Sequence, residues 1–205
     1  MKKHSMRYFF LLLLCITIVM TAHWNYARTV SHGYIETKST SNTLTNEAFN
    51  TIMQVLTHPR CMNCHPTDNI PKQGDNSHPH YFGLQRGASG HGFDGLQCAA
   101  CHQTENNDFS GVPGAPHWGL APASMGWQGL SNREIALALI DRSKNGDRSP
   151  EDLFKHMTED ALVLWAWNPG VNAEGIEREV PPVTTGAFAK ALQIWFDNGT
   201  PIPNE

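Results

Sequence analysis

Cysteine is scarce in this chain and narrowly placed. There are five in 205 residues: Cys15 inside an N-terminal apolar run, and Cys61, Cys64, Cys98 and Cys101. Strand-type alternation of apolar and polar residues is missing throughout, which points to a mainly α fold with long loops and little or no β-structure. A long apolar run is missing too. The stretch "YFFLLLLCITIVMTA" after the basic "MKKHSMR" is 15 residues, short of the roughly 20 a bilayer span needs and matched to a secretory signal. No small-x-small triplet precedes His23, so an uncleaved N-terminal anchor stands beside a removed signal for residues 1–22. Either way the rest of the chain is expected on the exported, periplasmic side, touching a membrane only through that segment.

Positive charge is the remaining deficit. Setting residues 1–22 aside removes Lys2, Lys3 and Arg7 from 15 basic residues and nothing from 19 acidic ones, so 12 stand against 19 and the formal charge is −7. Nucleic acid, whose phosphates need a basic surface, is excluded as a partner. A protein partner with a basic docking patch suits the charge, as does simple solubility.

The four remaining cysteines form two pairs of one pattern, "CMNCH" at 61–65 and "CAACH" at 98–102. Two disulfides would explain the even count but not the histidine after each pair. A four-sulfur zinc cage would leave both histidines surplus, and the 33 residues between Cys64 and Cys98 exceed the usual ribbon spacing of about 15–20. A redox dithiol of thioredoxin type needs a strand before the motif, and neither preceding segment reads as one. Covalent haem attachment uses every residue. Cysteines three apart on one helical turn, Cys61 with Cys64 and Cys98 with Cys101, can form thioethers to one haem, and the adjacent His65 or His102 becomes the proximal iron ligand. Two haem c groups are therefore expected, with zinc and disulfides as the competing readings.

Residues 23–44 are polar, Ser/Thr-rich and without periodicity, like a tether, and residues 45–205 form the expected di-haem cytochrome c domain, as one body or two small lobes. "TNEAFNTIMQVL" sets Phe49, Ile52, Met53 and Leu56 at helical spacing. Three more helices are expected near the C-terminus. One opens on a capping box of Ser131 and Glu134 and runs to Gly146; a second runs from Ser149 and Pro150 through "WAW"; a third is capped by Thr185 and ends at Gly199. The Gly/Pro-rich segments after each motif suit loops that wrap a porphyrin.

What lies across each iron separates a carrier from a catalyst: a second histidine or methionine leaves only electron transfer, and an open position admits small molecules. Met125, in a Pro/Gly/Trp loop after the second motif, is the leading candidate for the second haem, with a gap-filling role between Trp118 and Trp127 as its rival. His80, about 15 residues after His65, is the candidate for the first, against a solvated loop histidine, with loop length setting its reach. His156 is the reserve candidate, set mid-helix.

"HPRCMNCHP", "QGDNSHPHYFGLQRG", "CAACHQTEN", "PGAPHWGLAP" and "HMTEDALVLWAW" together resemble a family of small bacterial di-haem c-type cytochromes, often labelled as a subunit of isoquinoline 1-oxidoreductase. The resemblance covers roughly residues 55–170. It implies a periplasmic electron-transfer protein that exchanges electrons with a redox partner such as a dehydrogenase or a membrane electron-transport component. It does not imply the molybdenum chemistry of a hydroxylase. A small di-haem enzyme with one open haem site, peroxidase-like or acting on another small molecule, is the alternative.

Overall fold

A computed structural model describes the backbone of residues 2–203, and the side chains of all of these except 2–15 and 29–41. The signal-or-anchor reading of residues 1–22 therefore falls largely outside the described side chains, as do Cys15 and His32. Among the described residues no helix is long and apolar enough to cross a membrane. The molecule is mainly helical. The first helix, α1 (Lys2–Leu56), runs through residues 23–44, which lack apolar periodicity in the sequence. The chain divides between Leu44 and Thr45 into two units, and the second holds both cysteine pairs.

This second unit starts with the end of α1, where Ala48, Phe49, Ile52, Met53, Val55 and Leu56 are all buried, the face expected from their spacing. The helix stops because His58 precedes a proline and takes an extended conformation (φ −70, ψ 146). Pro59 then opens α2 (Pro59–Met62), where its missing N–H costs nothing. Two hairpins come next, β1 (Lys72–Gln73) with β2 (His78–Pro79) and β3 (Gly92–Phe93) with β4 (Leu96–Gln97), both antiparallel. Each strand has two residues, too few for alternation to register in the sequence.

The buried Arg86 clamps this loop region. Its Nη2 donates to the carbonyls of Pro66 (2.8 Å) and Asp68 (3.0 Å), and its Nη1 to that of Ala121. Arg178 does the same further on, donating to the carbonyls of Pro169 (2.8 Å), Val171 and Gly111.

The capping box of Ser131 and Glu134 opens α3 (Asn132–Ile140). It ends at Asp141 rather than Gly146, because Asp141 turns extended and its carboxylate accepts from Ser143. Ser149 and Asp152 box the start of α4 (Pro150–Glu159). The expected single helix from 149 to "WAW" is broken at Asp160, which is extended (φ −69, ψ 123) and caps α5 (Ala161–Leu164) through its own side chain. The last helix, α6 (Thr185–Asp197), is capped by Thr184 and not Thr185: the Thr184 hydroxyl accepts from Ala187 N–H. Ile135 and Leu139 of α3, Leu153 and Met157 of α4, and Phe188, Leu192 and Trp195 of α6 close on the α1 face to form the core.

Candidate cofactor sites

Both cysteine–histidine motifs sit on a single turn of helix. In the first, Cys64 N–H donates to the Cys61 carbonyl (3.1 Å) and His65 N–H to that of Met62 (3.1 Å). In the second, the 3-10 turn Cys98–Ala100 brings Cys101 N–H (3.2 Å) and His102 N–H (2.9 Å) to the Cys98 carbonyl. All four cysteines are free thiols. Among the described residues no three His, Cys, Asp or Glu side chains gather as a metal-ion site.

The surroundings of the two histidines repeat in detail, although the sequences supplying them are unrelated. His65 Nδ1 is 2.7 Å from the Met125 carbonyl, and its ring stacks on Trp127 with centroids 3.5 Å apart and planes 6° apart. His102 Nδ1 is 2.7 Å from the Pro113 carbonyl, and its ring stacks on Trp118 at 4.5 Å and 9°. Next to each accepting carbonyl is a glycine with no room for a side chain. A Cβ on Gly126 would stand 2.5 Å from the Pro66 carbonyl oxygen, and one on Gly114 would stand 2.1 Å from that of Glu105 and 2.6 Å from that of Gln103. The loop is thus pressed against the residues just after each histidine. A carbonyl can only accept, so each Nδ1 carries the proton and each Nε2 keeps a free lone pair. An imidazole held this way is prepared to bind a metal through Nε2.

The first site faces a cavity of ≈ 230 Å³ lined by Cys61, Cys64, His65, Met125, Trp127 and His156, together with Leu56, Leu139, Leu153 and Leu162. Arg60 and Arg148 also reach its wall. Arg60 is anchored by an ion pair to Asp75 and by its Nε on the Glu179 carbonyl (3.0 Å). Burial pushes the Cys61 thiol up to about 12 and the Cys64 thiol up to about 11, and the neighbouring Cys98 adds to the rise at Cys64. Thiols held that high stay protonated at neutral pH, the opposite of the lowered pKa a redox dithiol requires. Burial also takes His65 down to about 4, against the pull of its Met125 hydrogen bond, so its ring is neutral. His102 is lowered for the same reason, with His80 and Arg178 contributing.

The cavity suits a mostly apolar group that carries carboxylates. Its wall is mostly apolar, and Arg60 and Arg148 border it. The indole N–H of the buried Trp127 finds no partner among the described residues, although a buried donor ordinarily has one. The second site is more open, with Cys101 exposed and Cys98 half-buried. Trp118 is held edge-on by Trp165 at 4.9 Å, and Trp165 Nε1 donates to Asn106 Oδ1 (2.9 Å).

The candidates for the far side of each site fall out differently from their order in the sequence. Met125 belongs with the first motif, not the second, because its carbonyl is what His65 Nδ1 binds. That carbonyl is on the Nδ1 edge of the ring, away from Nε2, and Met125 also lines the cavity beside His65. His80 belongs with the second motif, not the first: its ring centroid is 6.0 Å from that of His102. Spacing along the chain sets how far a loop reaches and says nothing of which way it turns. His156 lies on the wall of the first cavity, and its Nδ1 is 3.1 Å from Asp160 Oδ2. The glycines at 114 and 126 were missed from sequence; one glycine following each loop that packs on a motif was the available signal.

No family model, curated protein or solved structure matches the chain.

Proposed function

We propose that this chain binds two haem c groups, one through Cys61, Cys64 and His65 and one through Cys98, Cys101 and His102, and serves as an exported electron carrier. The observation that carries the reading is the duplicated construction. Each motif has two free thiols on one turn, followed by a histidine whose Nδ1–H is on a backbone carbonyl and whose ring is stacked on a tryptophan. Disulfides and a four-sulfur zinc cage leave those histidines without a role, whereas covalent haem attachment uses them as metal ligands. The resemblance to small di-haem cytochromes agrees with it.

The bound haem supplies one-electron exchange at iron between its ferric and ferrous states. The protein's own residues do the rest. Cys61 with Cys64, and Cys98 with Cys101, would hold a haem through thioether links, the net addition of each S–H across a vinyl group. His65 and His102 offer Nε2 to the metal, and the carbonyls of Met125 and Pro113 hold them in that tautomer. Leu56, Leu139, Leu153 and Leu162 exclude water at the first site, and Arg60, Arg148 and the Trp127 indole N–H provide donors for haem carboxylates. Cys98 lies near enough to Cys64 to raise its thiol, and that closeness of the two motifs suits electron passage from one site to the other. Cys101 is exposed where the other three cysteines are half-buried, and this makes the second site the one where a partner docks.

The test is optical and EPR spectroscopy of the purified protein in both oxidation states, with and without carbon monoxide. Two haems that exchange electrons and ignore carbon monoxide support a carrier. A haem that takes up carbon monoxide supports the enzyme reading, and colourless protein ends both.

A further inference from the structure

Resting on the haem reading above, the geometry points to His156 as the second axial ligand at the first site, with Asp160 as the residue that positions it. We infer this from three observations. His156 lines the same cavity as Cys61, Cys64 and His65. The His156 ring is held at Nδ1 by the Asp160 carboxylate, which leaves its Nε2 lone pair for a metal, as at the two proximal histidines. Asp160 is itself fixed: its Oδ1 accepts from Leu162 N–H (2.9 Å), and its extended backbone ends α4 and starts α5. The break in an otherwise continuous helical sequence thus has a use, since it turns one carboxylate back, four residues along, onto the His156 ring.

The rival ligands on the cavity wall are placed less well. Met125 also lines the cavity, with its backbone carbonyl held on the Nδ1 edge of His65 and the residue buried at 6% exposure. Met157 is packed into the hydrophobic core at 5% exposure. His91 is also anchored through Nδ1, on the Trp118 carbonyl (3.0 Å), but its loop belongs to the second motif, because Cys98 N–H donates to the His91 carbonyl (2.9 Å). His117 is exposed and adjoins Trp118, the partner of His102. Ligation by His156 requires no electron or proton change: Nε2 donates its lone pair to the iron, and the Nδ1 proton stays on the bond to Asp160.

The experiment uses the full holoprotein with both haems attached. The wild type is expected to have a low-spin first haem. His156→Ala should convert one of the two haems from low-spin to high-spin and let that haem alone bind carbon monoxide when reduced. Added imidazole should restore the low-spin signal. His156→Met should give one haem a methionine-to-iron charge-transfer absorption. Asp160→Asn keeps the cap on Leu162 while replacing the carboxylate at Nδ1, and should raise one of the two midpoint potentials and leave the other in place. If His156→Ala fails to accumulate, His156→Met and Asp160→Asn decide the matter. Variants with spectra and potentials identical to wild type overturn this inference alone. Wild-type protein without covalent haem overturns the functional reading on which it rests.

Discussion

The duplicated histidine geometry depends on two glycines, and Gly126→Ala tests that dependence. Neither Gly126 nor Gly114 has a positive φ, so alanine costs nothing in backbone conformation and the penalty is contact alone. The new Cβ would stand 2.5 Å from the Pro66 carbonyl oxygen, where ordinary contact begins at about 3.4 Å, so the loop must retreat by about 0.9 Å. Retreat by that amount stretches the 2.7 Å contact between His65 Nδ1 and the Met125 carbonyl to about 3.6 Å, beyond hydrogen-bond range. Overpacking costs about 1–3 kcal/mol and the lost hydrogen bond about 0.5–1.5 kcal/mol, so the variant should lose about 2–4 kcal/mol. Thermal unfolding of the holoprotein should show this as a fall in Tm of about 5–15 °C. Only one of two midpoint potentials should move, that of the haem at His65. Gly114→Ala should act likewise on the other. Gly186, in α6 with nothing within 4 Å of its Cβ position, is the control, since alanine there is neutral or stabilising by up to about 1 kcal/mol. Gly126→Ala with wild-type Tm and potentials would mean that the Met125 loop is not pressed on the His65 turn, and the dependence would fall.

Three other outcomes are expected from the structure. Arg86→Lys should lose at least two of three bonds to the carbonyls of Pro66, Asp68 and Ala121 and destabilise by about 2–4 kcal/mol, read by urea unfolding; a change under about 0.5 kcal/mol would show that the clamp contributes little. Thr184→Ala should cost about 0.5–2 kcal/mol and Thr185→Ala far less, since Thr184 makes the cap; equal losses would put the cap in doubt. Burial, reinforced by Arg60, holds His58 below the ordinary histidine range. As pH falls below about 6.5, the unfolded chain takes up a proton that the folded His58 resists, so stability declines. His58→Gln should make that acid limb of a stability–pH curve shallower, and an unchanged slope would show that His58 contributes nothing to it.

Much of the helical frame was legible because its signals are local. The capping box at Ser131, the cap at Ser149 and the buried stripe of Phe49, Ile52, Met53 and Leu56 are set by neighbours within a few residues, and sequence carries those directly. The break at Asp160 was not legible, because the same residues suit a continuous helix and the interruption depends on where the carboxylate is held. The helical backbone through 23–44 likewise runs where apolar periodicity is absent. At the sites, the paired cysteines and the histidine after each pair were legible as spacing. The partners of His80 and Met125 were not, since each loop's direction is set by distant clamps such as Arg86 on the carbonyls of Pro66 and Ala121.

Whether each motif holds a covalent haem is decided by the mass of the denatured protein together with its pyridine haemochrome absorbance. The expected result is a polypeptide heavier by two haems, two haemochromes per chain, and the loss of one haem in each of Cys64→Ser with Cys61→Ser and Cys101→Ser with Cys98→Ser. A chain of unmodified mass, with its four thiols free, paired as disulfides or bound to zinc, would contradict the di-haem reading.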